Sequence, residues 1–178
     1  MASAKEKAVN MTTVYETNYR KLENLGIIQD GVIAIHEYAK LKSGAYVDLS
    51  IDRLSSNKLA MAHNYIQNGD VVPDPDMTLK VYPESKMVEV LSYQDSMGYR
   101  EVYPEEGKVN LRAKQELNAF LGIWLSNLSR QGFNFYGEKN KEIENPKIYG
   151  TPKKQGWHKQ PVKHALAAQK GHVRRRGF

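Results

Sequence analysis

Pro73-Asp74 and, after nine intervening residues, Glu84-Ser85-Lys86 spell a Pro-Asp…Glu-x-Lys pattern of the kind used by metal-dependent nucleases. That chemistry places both carboxylates on one Mg²⁺ and the lysine beside the attacking water, so the three side chains must lie within a few ångströms of one another. The surrounding letters predict otherwise. Asp74 precedes the alternating run Met77–Tyr82, while Glu84 and Lys86 flank the turn after it. At about 3.3 Å per extended residue the groups stand roughly 20 Å or more apart. The expectation is a Pro-Asp connection followed by a charged β-turn, and a nuclease centre only if the strand assignment fails.

Asp70, Asp74 and Asp76, with Asn68, form a second acidic grouping that could hold a cation. Aspartates in such loops more often satisfy their own backbone through Asx turns, and no metal site is expected. His63 falls on the apolar phase of its strand with Leu59, Met61 and Tyr65, which predicts a hydrogen-bonded structural histidine. Tyr82, Tyr93, Tyr99 and Tyr103 crowd together in sequence with Arg100 and Gln94 nearby. Exposed on a sheet they would stack bases; half-buried they would pack the sheet under its helices. The chain has no cysteine, which excludes disulfides, thiolate metal ligands and a cysteine nucleophile. No Ser/His/Asp spacing, nucleophile elbow, phosphate-binding glycine loop or HExxH is present, and no cofactor is expected.

The strongest chemical signal is electrostatic. From Asn145 to Phe178 there are nine Lys/Arg and no Asp or Glu, in a chain of net charge +6. Residues 1–144 therefore hold seventeen Lys/Arg against twenty Asp/Glu, a net −3. A single-sign block of this kind is an arm suited to polyanions rather than a packed core. Its candidate binding residues are Lys147, Lys153, Lys154, Trp157 and Lys159, followed by Lys163, Lys170, Arg174, Arg175 and Arg176. The interleaved Trp157, Tyr149 and His158 suit phosphate neutralisation with occasional stacking. A solvated tail without a dedicated partner, or one that docks on an acidic protein, has the same composition.

These groups must be positioned by an ordinary domain. Residues 1–10 are polar and expected to be flexible. Thr12 or Thr13, with Glu16 as a capping-box partner, predicts a helix to about Leu25, stopped by Gly26. Ile27–Ile35 turns at Asp30-Gly31. A period of two then runs from Tyr46 to Arg53, resumes after Ser55-Ser56-Asn57 through Tyr65, and continues in Met77–Tyr82, Met87–Leu91 and Tyr99–Tyr103. Pro73-Asp74-Pro75-Asp76 reads as a rigid connection between two of these strands. A final helix starts near Asn110, with Leu111, Leu117, Phe120, Leu121, Trp124 and Leu128 on one stripe, and ends at Gln131-Gly132.

Leu59-Ala-Met-Ala-His63-Asn-Tyr65, Asn68-Gly69-Asp70, Asp74-Pro75-Asp76-Met77, Leu91-Ser-Tyr93-Gln94-Asp95 and the closing Leu117-Asn-Ala-Phe120, Trp124, Asn127-Leu128 and Gln131-Gly132-Phe133 occur in order. Through them the chain resembles an uncharacterised bacterial family carried on plasmids, phages and conjugative elements. The resemblance implies a shared fold and a mobile-element setting, and supplies no reaction. It covers about half of the chain and leaves the basic arm outside.

The expected architecture is α+β, an antiparallel sheet of about 4–6 strands flanked by an N-terminal and a longer C-terminal helix, over residues 11–136. A basic, largely irregular arm follows over 137–178, with a short helix at 161–170. The expected role is a non-enzymatic, cytoplasmic accessory protein that binds DNA or RNA through the arm. The alternative is a protein-binding inhibitor or adaptor that uses the body. No membrane partner is expected, because no stretch approaches the roughly 20 apolar residues needed to span a bilayer.

Overall fold

The computed structural model describes residues 4–136, with side chains from Met11 onward. The basic arm, the short helix expected at 161–170 and all ten of the arm's candidate binding residues lie outside these described residues.

The first helix, α1 (Ala4–Asn24), has 21 residues and starts ahead of the Thr12/Thr13 cap, because Ala4-Lys5-Glu6-Lys7-Ala8 is itself strongly helix-favouring. It ends where expected. Gly26, at φ +75°, donates its N–H to the Glu23 carbonyl at 2.8 Å, and the Ile27 N–H reaches the Leu22 carbonyl at 3.0 Å. This Schellman closure drives Ile27 into the core. Asp30 and Gly31, both at positive φ, then turn a small hairpin of β1 (Ile28–Gln29) and β2 (Val32–Ile33).

The main sheet is an antiparallel meander of six strands in sequence order. They are β3 (Tyr38–Leu41), β4 (Leu49–Ser55), β5 (Lys58–Gln67), β6 (Asp70–Tyr82), β7 (Met87–Asp95) and β8 (Gly98–Glu101). Alternation puts Leu49 and Ile51, Leu59 and Met61, Met77 and Leu79, and Val88 and Val90 into the buried layer. Three sequence readings differ from the structure. The strand β3 was not anticipated, and the run expected to begin at Tyr46 begins at Leu49. The supposed connection Pro73–Asp76 lies inside β6: Ala62 pairs with Asp76 and Asn64 with Pro73, so Asp74 and Pro75 face His63 alone. This bulge, which holds a cis Asp74-Pro75 bond, is how a strand accommodates prolines that cannot donate to a ladder.

The last helix, α2 (Leu111–Arg130), has 20 residues. Asn110 caps it by accepting the Ala113 N–H at 3.0 Å. Its buried face carries Leu117, Leu121, Trp124, Leu125 and Leu128. Leu111, expected on that face, is 69 % exposed in the first turn. A second Schellman closure at Gly132 buries Phe133 as the first one buried Ile27. Among the described residues no helix is long and apolar enough to cross a membrane.

The two helices meet through polar groups. Fully buried Asn118 accepts the Val90 N–H at 3.0 Å, where β8 no longer covers β7, and donates to the Lys114 carbonyl at 2.7 Å. The Asn18 amide of α1 donates to the Asn118 carbonyl at 2.9 Å, and the Lys21 ammonium to the Gly122 carbonyl at 2.7 Å. Removing the Asn118 carboxamide strands a buried backbone donor, which costs about 1–3 kcal/mol. Asn118→Ala is therefore expected to lower the urea midpoint at unchanged m-value; a midpoint equal to that of the parent chain would contradict this account.

Candidate functional site

At one end of the sheet, β5 and β6 run on beyond their neighbours. The last β5 residue with a β4 partner is His63, paired with Leu49, and the last β6 residue with a β7 partner is Asp76, paired with Gln94. The residues Asn64–Gln67 and Asp70–Pro73 pair only with each other, closed by Asn68-Gly69 at φ +54° and +88°. Ile66 and Val71, directly opposite, are 80 % and 62 % exposed, and Tyr65 is 45 % exposed. Met97, at the tip of the neighbouring β7–β8 turn, is 91 % exposed. Ser96 in that turn donates its hydroxyl to the Asp74 carboxylate at 3.0 Å, tying the β7–β8 turn to the bulge at the base of the β5–β6 extension.

The segments that carry the family resemblance in β5, β6 and β7 converge here. Asp95 organises its turn, accepting the Met97 and Gly98 N–H groups at 2.8 and 2.9 Å and the Tyr93 hydroxyl at 3.0 Å. Burial, reinforced by the Asp95 carboxylate, pushes the Tyr93 phenol up to about 12, so it stays protonated near neutrality. Asp74 and Asp95 thus shape turns. Among the described residues no group of three or more His, Cys, Asp or Glu could hold a metal ion. Glu84 and Lys86 sit in the turn between β6 and β7, at the opposite end of β6 from Asp74. The nuclease-like letters therefore never meet, as the strand reading predicted.

His63 is structural. Its Nδ1 lies 3.2 Å from the Asp48 carbonyl, and its ring centre stands 5.6 Å from Trp124 and 5.8 Å from Phe133. Burial pulls its pKa below the ordinary value. The neutral ring donates from Nδ1 to the carbonyl.

The tyrosines separate. Tyr93 packs edge-on against Phe120, while Tyr99 is 44 % exposed. Tyr82 and Tyr103 donate to the Glu89 carboxylate at 3.0 and 2.5 Å. Glu89 is buried and also meets the Lys114 ammonium of α2 at 2.6 Å. That ammonium lies 5.1 Å from the Tyr103 ring centre and 5.9 Å from that of Tyr15. This cluster was not foreseen; its one trace in the sequence is a lone Glu in the apolar run Met87-Val88-Glu89-Val90-Leu91.

Burial pushes the Tyr15 phenol up to about 12 against the pull of Lys114, and burial with the Glu89 charge does the same to Tyr82. Burial tends to lower the Lys114 pKa, but its bonds to Glu89 and Tyr103 raise it overall. The arm's candidate residues cannot be placed, since they fall outside the described residues. In the body, Lys40, Arg100, Lys108, Arg112 and Lys114 each pair with a carboxylate.

Two outcomes follow from the cluster. Lys114→Met leaves Glu89 buried and unpaired and is expected to cost about 3 kcal/mol, with Glu89→Gln in the same chain recovering most of it; urea unfolding of the three variants measures both terms. Tyr15, Tyr82, Tyr93 and Lys114 all have folded pKa values above their unfolded ones. The contribution of the three phenols to stability is therefore complete below about pH 10 and is lost as pH rises through about 12, and that of Lys114 persists to still higher pH. Tyrosinate absorbance should show these phenols ionising with cooperative alkaline unfolding; free titration of all eleven tyrosines near pH 10 would contradict the geometry.

Comparison with curated proteins and with solved structures finds no match to this chain. A family model does match, over residues 17–134, from the middle of α1 to just beyond α2. That span is well over half of the chain and contains the sheet, both hairpin tips and the Glu89 cluster apart from Tyr15. The protein therefore belongs to the family described as Domain of unknown function (DUF6908).

Proposed function

We propose that this protein is a non-enzymatic accessory protein that binds DNA or RNA with little sequence preference through its basic C-terminal arm. The observation that carries this reading is the charge partition: nine Lys/Arg without a single Asp or Glu between Asn145 and Phe178, against net −3 in the remainder. The body's pairing supports it. In the body seventeen Lys/Arg are outnumbered by twenty Asp/Glu, and five of those cations pair with carboxylates among the described residues, so net attraction to phosphate falls to the arm. Trp157 and Tyr149 add sequence-tolerant stacking surfaces. The mobile-element setting rests on the family resemblance alone. One observation favours the second reading, a protein-binding adaptor: the exposed apolar groups Tyr65, Ile66, Val71 and Met97 at the sheet end.

Titration of the full chain with labelled duplex DNA at several salt concentrations tests the first reading. If about six of the arm's charges meet phosphates, log K falls against log salt with a slope near −5, and less steeply on single strands. Replacing Arg174, Arg175 and Arg176 by Gln should make the slope about 3 units shallower without regard to sequence. A slope near zero for the parent chain would retire the proposal.

A further inference from the structure

The described residues end at Tyr136, whose hydroxyl donates to the Glu23 carbonyl at 3.2 Å and whose ring rests on Gly26, just past the end of α1. Lys21 lies five residues earlier, roughly 7.5 Å back along the helix axis. Here α1 and α2 run in the same direction, for Asn18 meets Asn118 and Lys21 meets Gly122. An open groove of about 430 Å³ lies between them. Toward the C-terminal ends of both helices its walls are polar. The Gly122 carbonyl accepts the Lys21 ammonium at 2.7 Å and the Ser126 hydroxyl at 3.0 Å, so these two donors stand side by side. Arg130, one turn beyond Ser126, lines the same groove. On the α1 wall Thr17 precedes Lys21 by one turn, and the Arg20 guanidinium leans onto its hydroxyl at 3.4 Å. Among the described residues no carboxylate pairs with Arg20, Lys21 or Arg130. Lys21 and Arg130 occupy the last turns of their helices, where the macrodipole favours cations, so the surface is preformed.

We infer that Arg20, Lys21 and Arg130, with the hydroxyls of Thr17 and Ser126, form a second contact for nucleic-acid phosphates beside the root of the arm. This contact rests on the nucleic-acid reading of the arm and extends it onto the body. Lys/Arg side chains interspersed with Ser/Thr hydroxyls are the groups that hold phosphate oxygens in such interfaces, and they do so without reading sequence. Position selects the occupant. The body's net −3 gives a polyanion no reason to approach by itself. A strand gathered by the arm is different, because the tether at Tyr136 holds it at high local concentration next to these cations. Three charges too few to recruit nucleic acid are then enough to add to its hold. An acidic protein would meet the same cations, and it is the competing occupant.

The test titrates the full chain with a short labelled duplex at several salt concentrations. Arg20→Gln with Arg130→Gln is compared with Lys58→Gln with Lys86→Gln. The second pair removes equal charge beside the β4–β5 turn and within the β6–β7 turn, again from cations without a carboxylate partner among the described residues. The arginine pair should make the salt slope shallower by about 2 units, and the lysine pair should leave it within about half a unit of the parent. All four side chains are exposed, and an unchanged urea midpoint checks that each variant folds. Location is read separately. The chain has no native cysteine, so Ile123→Cys, at a position 61 % exposed in the groove, carries one unique thiol. Labelled with a benzophenone it should photocrosslink to the duplex, whereas Glu84→Cys in the β6–β7 turn should not. A parent slope in the arginine pair overturns the inference, as do equal losses from both pairs or a crosslink from Glu84→Cys alone. Loss of poly-glutamate binding by the arginine pair at an unchanged duplex slope overturns it too and assigns the surface to an acidic protein. A slope near zero in the parent chain retires the reading of the arm itself. A slope that responds to Arg174, Arg175 and Arg176 but not to Arg20 and Arg130 keeps that reading and removes only this contact.

Discussion

Between β7 and the helices the chain has to reconcile a sheet edge with an all-helical layer, and the side chain of Asn118 does this. Where β8 ends, the outward N–H of Val90 would otherwise face the α2 surface without a partner. Burying an unmet backbone donor is costly, and a buried carboxamide that also bonds its own helix meets the need without introducing charge. The Asn118 main chain in turn receives Asn18, so the angle between α1 and α2 is set by hydrogen bonds as well as by apolar packing. Gly122 allows this close approach: a Cβ there would stand 2.8 Å from the Asn18 side-chain oxygen. The Glu89–Lys114 pair lies nearby and further ties α2 to β7.

Most of the architecture could be read from alternation and capping letters. The runs around Leu59–Met61 and Met77–Val81 had one buried face, and Asn110 and Gly132 marked the ends of α2 as their chemistry dictates. The misses have physical causes. The strand β3 offers only Ala39 and Leu41 as buried residues, alternating with Tyr38, Lys40 and Lys42, too short a pattern to stand out. Prolines at 73 and 75 read as a connection because a strand tolerates them only at a bulge, and a bulge is a property of the pair of strands. At the start of α1 a capping pattern at Thr12/Thr13 competed with helix-favouring residues upstream, and the latter prevailed.

The site was less legible than the fold. Glu89, Lys114 and Tyr15 come from a strand and two helices, and no local pattern brings them together. Conversely, Asp74, Glu84 and Lys86 look related in one dimension and are separated by the remainder of β6, from Pro75 to Tyr82. The hairpin extension was visible as two strands and a turn, yet its overhang depends on where β4 and β7 stop, which only the assembled sheet reveals. The arm is the reverse case: its charge is plain from composition, and charge is a statement about partners rather than about shape.

The way the chain leaves the body also matters. After Phe133 is buried, the Phe135 N–H bonds the Leu25 carbonyl at 2.8 Å, and the Tyr136 hydroxyl bonds the Glu23 carbonyl at 3.2 Å, its ring resting on Gly26. The root of the C-terminal segment is thus fastened to the far end of α1, more than a hundred residues earlier in sequence. A pull on that segment is not met by one helix end unwinding alone. It loads the C-terminal ends of α1 and α2 together, so a force applied at residue 136 is shared between two helices that are far apart in sequence.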